Sequence, residues 1–184
     1  MPEIKKYKMF IDGEWVDSES RKTFQSLNPE NNEPWAEVPE ADEKDVDRAV
    51  NAAQKAFEGT WSKLFPRERA KYLKAIAEQL RENSELLGKI ETIDTGKLFK
   101  ETKTQANYIA EYYDYYAGLA DKVEGTVLPI DKPNMQVITT RVPIGVVAAI
   151  IPWNSQMLLT AVKLAPALAM GNTVVIKSSE LAPA

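Results

Sequence analysis

The residues best placed to do chemistry in this chain lie where two apolar runs end. The first run, Gly145-Val146-Val147-Ala148-Ala149-Ile150-Ile151, passes into Pro152-Trp153-Asn154, and the second, Thr173-Val174-Val175-Ile176, passes into Lys177-Ser178-Ser179-Glu180. Both have the composition of parallel strands, and the first reads as a strand buried on both faces. Ligands of open α/β sheets sit at the carboxyl ends of such strands. An uncharged amide at Asn154 suits the stabilisation of oxygen charge that develops when a carbonyl is attacked. The same residue could instead be a turn asparagine or a helix N-cap. Lys177 and Glu180 could hold the vicinal hydroxyls of a ribose, or could form a surface ion pair.

Other chemistry is excluded by composition. The 184 residues contain no histidine and no cysteine, so the commonest general base and metal ligand is missing, as are thiolate nucleophiles, disulfides and thiolate zinc sites. Acidic residues number 27 against 23 basic ones, for a formal charge of −4, and no basic block offers a nucleic-acid groove or a contact for an anionic membrane. Small neutral or acidic metabolites are the better match. The most apolar tract, Val142 to Ile151, contains Pro143 and Gly145 and is far shorter than the ~20 residues of a membrane-crossing helix. The amino terminus lacks the apolar stretch of about 7–15 residues of a secretory signal, so a cytoplasmic location is expected.

Two further features have ordinary structural readings. Tyr108, Tyr112, Tyr113, Tyr115 and Tyr116 cover more than one face of a helix, which favours packing over a ligand-stacking surface. Gly96-Lys97 lacks the upstream glycine of a phosphate loop and reads as a helix stop followed by a solvated lysine.

The elements that must position these residues follow from periodicity and punctuation. Residues 8–39 alternate short apolar runs with turn formers, which predicts short strands and hairpins. From Asp42, an N-cap candidate, Val46, Ala49, Val50, Ala53 and Phe57 recur at helical spacing until Gly59. Further helices are predicted from Pro66, from Ser84 toward Gly96, and over about Lys100 to Ala120. Thr126 to Ile130 and Met135 to Val142 flank Asp131-Lys132-Pro133-Asn134 and predict a hairpin. Ser155 to Met170 predicts a helix ending at Gly171, so residues 146–177 form one βαβ unit. The fold class is therefore α/β, with an incomplete doubly wound, Rossmann-like sheet. Such a sheet needs several crossovers, and the inventory is that of part of a larger protein.

The run Arg141-Val142-Pro143-Ile144-Gly145-Val146-Val147, then Ile150-Ile151-Pro152-Trp153-Asn154, then Ala165-Pro166-Ala167-Leu168-Ala169-Met170-Gly171-Asn172-Thr173 through Lys177-Ser178-Ser179-Glu180 strongly resembles the aldehyde dehydrogenase superfamily. Upstream, Phe10-Ile11-Asp12-Gly13-Glu14-Trp15, Arg67-Glu68-Arg69 and Tyr116-Ala117-Gly118 resemble it too. The resemblance implies an amino-terminal portion of an NAD(P)-dependent oxidoreductase that converts an aldehyde to an acid through a cysteine thiohemiacetal. It implies that Asn154 serves the oxyanion hole, that Lys177 and Glu180 bind the adenosine ribose with Ser179 beside them, and that Ile151, Pro152 and Trp153 line the cofactor path. Lys163 matches a lysine given a charge-relay role in some members, although it could equally snorkel to solvent. NAD is the implied cofactor, with NADP as the alternative, and a small aldehyde the substrate. A homodimer or homotetramer is implied for the complete protein, with residues 1–125 and 143–184 in the cofactor-binding domain and 126–142 an oligomerisation hairpin. The other reading is a short assembly or binding module without catalysis. Two departures stand out. Ser178 replaces the usual proline between lysine and serine, and Asn154-Ser155-Gln156 replaces the common Asn-Phe-Pro. The family's nucleophilic cysteine, general-base glutamate and glycine-rich turn would lie beyond Ala184.

Overall fold

The protein, seen in a computed structural model, is described over residues 4–184. Its amino-terminal part is built from short strands, as the turn-rich sequence predicts. Strand β1 (Lys5–Lys6) precedes a hairpin of β2 (Met9–Ile11) and β3 (Glu14–Val16), and β4 (Thr23–Asn28) pairs antiparallel with β5 (Glu33–Pro39). β1 runs parallel to β5 on its other side, giving the order β1-β5-β4.

Helix α1 (Glu43–Glu58) starts where its cap predicts. The Asp42 carboxylate accepts from the Lys44 N–H at 2.9 Å and the Asp45 N–H at 3.3 Å, and Asp45 returns a bond to the Asp42 N–H at 3.2 Å. This reciprocal capping satisfies donors that the first turn leaves free. α2 (Pro66–Glu82) has proline at its first position, where no N–H is needed. α3 (Ser84–Thr95) stops at Gly96, whose φ of 75° is left-handed. α4 (Phe99–Leu119) and α5 (Gln156–Ala169) complete the helical part.

The core forms where α2, α4 and α5 meet. Leu73 and Ala77 of α2 pack with Ile109, Ala110, Tyr113 and Ala117 of α4 and with Ala161, Ala165 and Ala169 of α5. The three alanines of α5 are spaced four apart and share one face, where their small side chains admit a close neighbour. Burial of Leu73 and Ile109 contributes about 1.5–3 kcal/mol each. The tyrosines divide as packing requires. Tyr113 is buried, and loss of solvent pushes its hydroxyl up to about 12, while Tyr108 and Tyr115 are exposed.

The βαβ unit links β8 (Val146–Ile150) through α5 to β9 (Thr173–Lys177), in parallel register from Val146 opposite Thr173 to Ile150 opposite Lys177. Asn172 fixes that register. Its Oδ1 accepts from the Ile144 N–H at 2.7 Å and the Gly145 N–H at 3.2 Å, while its Nδ2 donates to the Ala167 carbonyl at 3.1 Å. One buried amide thereby ties the entrance of β8 to the last turn of α5.

Two expectations need correction. β8 is not buried on both faces: Ala149 is buried, but Ala148 is exposed and Ile150 is 69% exposed. The pleat turns alternate residues to opposite sides, and one side has no covering layer among the described residues. The hairpin within 126–142 is also slighter than predicted. Its strands, β6 (Val127–Leu128) and β7 (Val137–Ile138), are two residues each, because an arm with no sheet beneath it has little apolar packing to extend the ladder. Among the described residues no helix is long and apolar enough to cross a membrane.

Candidate active site

The two strand exits lie side by side because the ladder runs one step past β8: the Ile151 N–H donates to the Lys177 carbonyl at 2.9 Å. Ile151 is buried, and the chain then emerges as Pro152, Trp153 and Asn154, all exposed. Asn154 is not the cap of α5. That position belongs to Ser155, while Asn154 lies in the turn between β8 and α5, as the turn-asparagine alternative expects, and its amide makes no hydrogen bond among the described residues.

Beside it, Lys177 Nζ and Glu180 Oε2 are 2.9 Å apart and both largely exposed. The pair is thus closed on itself, as the surface-ion-pair alternative anticipates. The Glu180 carboxyl is held below its ordinary value by its own backbone N–H and then by Lys177. Ser179, in contrast, is buried, and its hydroxyl accepts from the Leu181 N–H at 3.2 Å, closing the turn that carries Glu180. Lys163 is half-buried on α5, without an ion pair among the described residues.

Behind the strand exits lies a polar cluster that sequence reasoning missed. Lys97 is not a solvated lysine: it is 26% exposed, and its ammonium donates to Glu91 Oε1 at 2.8 Å and to Ser155 Oγ at 2.7 Å. Glu91 is 2% exposed. One turn further along α3, buried Asp94 gathers four segments. It accepts from Ser26 Oγ at 2.5 Å, Trp35 Nε1 at 3.1 Å, Gln156 Nε2 at 3.4 Å and the Ala184 N–H at 2.9 Å. Burial pushes the Asp94 carboxyl up, and the four hydrogen bonds pull against that shift. The one signal in the sequence was the spacing of Gly88, Glu91 and Asp94 along a single face of α3, where a glycine between two helices marks a buried side.

The sequence pattern of the Aldehyde dehydrogenase family matches residues 15–184. The chain belongs to the aldehyde dehydrogenase family. Among its relatives, the (Z)-2-((N-methylformamido)methylene)-5-hydroxybutyrolactone dehydrogenase of Acinetobacter baylyi is 50% identical over 98% of this chain and 37% of its own length. The betaine aldehyde dehydrogenase of Bacillus subtilis is 43% identical over 95% of this chain and 36% of its own length. Among solved structures, the betaine aldehyde dehydrogenase of Staphylococcus aureus in complex with NAD+ superposes with a TM-score of 0.91 at 40% identity, covering 96% of this chain and 35% of that one. The chain therefore spans little more than a third of the aldehyde dehydrogenases it matches, and its Rossmann-like sheet is correspondingly represented by one crossover.

Proposed function

We propose that the full-length protein to which these residues belong oxidises an aldehyde to a carboxylic acid with NAD+, and that this chain supplies one oxyanion donor and part of the dinucleotide site. The observation that carries the reading is the Asn154 amide, unbonded among the described residues, past the end of β8, whose exit lies next to that of β9 with its charged Lys177–Glu180 pair.

The residues present fit a dinucleotide by the chemistry of their donor set. A carboxylate can accept from both hydroxyls of a ribose and an ammonium can donate to one, and an exposed pair can open to do so with little loss. When bound, the nicotinamide supplies a hydride acceptor. Glu180 disfavours a 2′-phosphate by charge repulsion, which favours NAD over NADP, and an NAD+ complex of a relative supports this. Asn154 acts at another atom. Attack on the aldehyde carbon drives negative charge onto the carbonyl oxygen, and a fixed amide N–H stabilises that charge without having to reorganise. The attacking group lies outside residues 1–184, which contain no cysteine, so these residues alone do not turn over aldehyde. The β6–β7 arm, exposed along most of its length, is the proposed contact for a homo-oligomer.

The test is Asn154→Ala in the full-length enzyme. The expected outcome is a fall in kcat of about 10²–10³ with dinucleotide affinity and thermal midpoint nearly unchanged. Preserved kcat would overturn the assignment.

A further inference from the structure

We propose that Lys97 and Ser155 position Asn154, so that the oxyanion amide is aimed by a tether from the end of α3. This rests on the reading of Asn154 as an oxyanion donor. Among the described residues Asn154 has no side-chain partner, so its aim depends on the backbone on either side. On the amino-terminal side, Ile151 is buried and laddered to Lys177. On the carboxyl side, the anchor is Ser155. A serine at a helix N-cap ordinarily turns its hydroxyl oxygen to the N–H groups of the first turn, but Ser155 makes no such bond. Its Oγ instead meets Lys97 Nζ at 2.7 Å, and Lys97 is itself anchored on the buried Glu91 at 2.8 Å. The next residue is held to the same helix, with Gln156 Nε2 at 3.4 Å from Asp94 Oδ2. Residues 152–154 are therefore slung between two fixed points. Ser155 replaces the phenylalanine common at this place, and a phenylalanine could make no such bond, so the tether depends on this departure from the family pattern.

Misplacement of a catalytic group by about 1 Å can cost about 10²-fold in rate, and loss of the tether loosens the amide without removing it. In the full-length enzyme, Ser155→Ala is expected to lower kcat about 10-fold, below the full loss of a donor, with the KM for NAD+ and the thermal midpoint unchanged. Ser155→Thr keeps the hydroxyl and should retain wild-type kcat. In an Asn154→Ala background, Ser155→Ala should have no further effect, because it acts through the missing amide. Lys97→Ala is a poorer probe, since it strips the buried Glu91 carboxylate of its partner and threatens the fold. Wild-type kcat in Ser155→Ala beside a defective Asn154→Ala would overturn the tether alone. A Ser155→Ala loss that persists undiminished in the Asn154→Ala background would do the same. Undiminished kcat in Asn154→Ala would remove the oxyanion reading itself and this proposal with it.

Discussion

Asp94 accepts four hydrogen bonds from four separate segments while lying 1% exposed. Removing the carboxylate in Asp94→Ala leaves buried donors unpaired, and a loss of about 2–4 kcal/mol is expected, since each such donor costs about 1–3 kcal/mol and some find water. The pH dependence has a definite sign. Burial raises the Asp94 carboxyl above its ordinary value, so the folded state holds the proton more tightly than the unfolded chain does. That contribution is complete below the ordinary carboxylate value and is lost as pH rises through the raised one. The stability of the wild type relative to Asp94→Asn should therefore increase as pH falls through this window, measured by thermal unfolding across the weakly acidic range. A decrease would contradict the assignment. The placement of Asn154, Lys177 and Glu180 at the strand exits was legible in the sequence, because the apolar pattern marks where each strand ends. The contact of Lys97 with Ser155 was not, because it joins residues 58 apart and depends on how the end of α3 meets the start of α5, which no local pattern encodes.

Helix termini were legible for a related reason. Asp42, Pro66 and Gly96 each act within one turn of their own position, and capping chemistry is local. Burial of β8 and the length of β6 and β7 were not, because both depend on what lies across the sheet rather than along the strand. The junction of α5 and β9 joins the two cases. Gly171 has φ of 87°, and a Cβ there would lie 3.1 Å from Pro143 Cγ and 3.4 Å from Arg69 Cζ. Arg69 has little room to yield, because its guanidinium donates to the Ala169 carbonyl at 3.1 Å and to the Leu64 carbonyl at 2.7 Å. Gly171→Ala should destabilise the protein by about 1–2 kcal/mol from the left-handed backbone alone, with the crowding adding to it. An unchanged midpoint in calorimetry would show that the junction relaxes more freely than these contacts imply.

At the scale of the whole molecule, the helical core is finished while the sheet is not. The α2, α4 and α5 interface is closed, yet Ile150 is 69% and Ile176 44% exposed on opposite faces of the β8–β9 pair, and Trp153, past the end of β8, is 54% exposed. This chain spans little more than a third of the length of the relatives it matches. The proposed oxyanion donor and ribose ligands act only together with a nucleophile, and residues 1–184 contain no cysteine. The direct measurement is NADH formation from NAD+ and an aldehyde, with the carboxylic acid quantified alongside, by the full-length protein and by residues 1–184 in parallel. The expected result is one acid formed for each NADH by the full-length protein and no turnover by residues 1–184. Failure of the full-length protein to form NADH with any of a broad range of aldehydes, or turnover by residues 1–184 themselves, would contradict it.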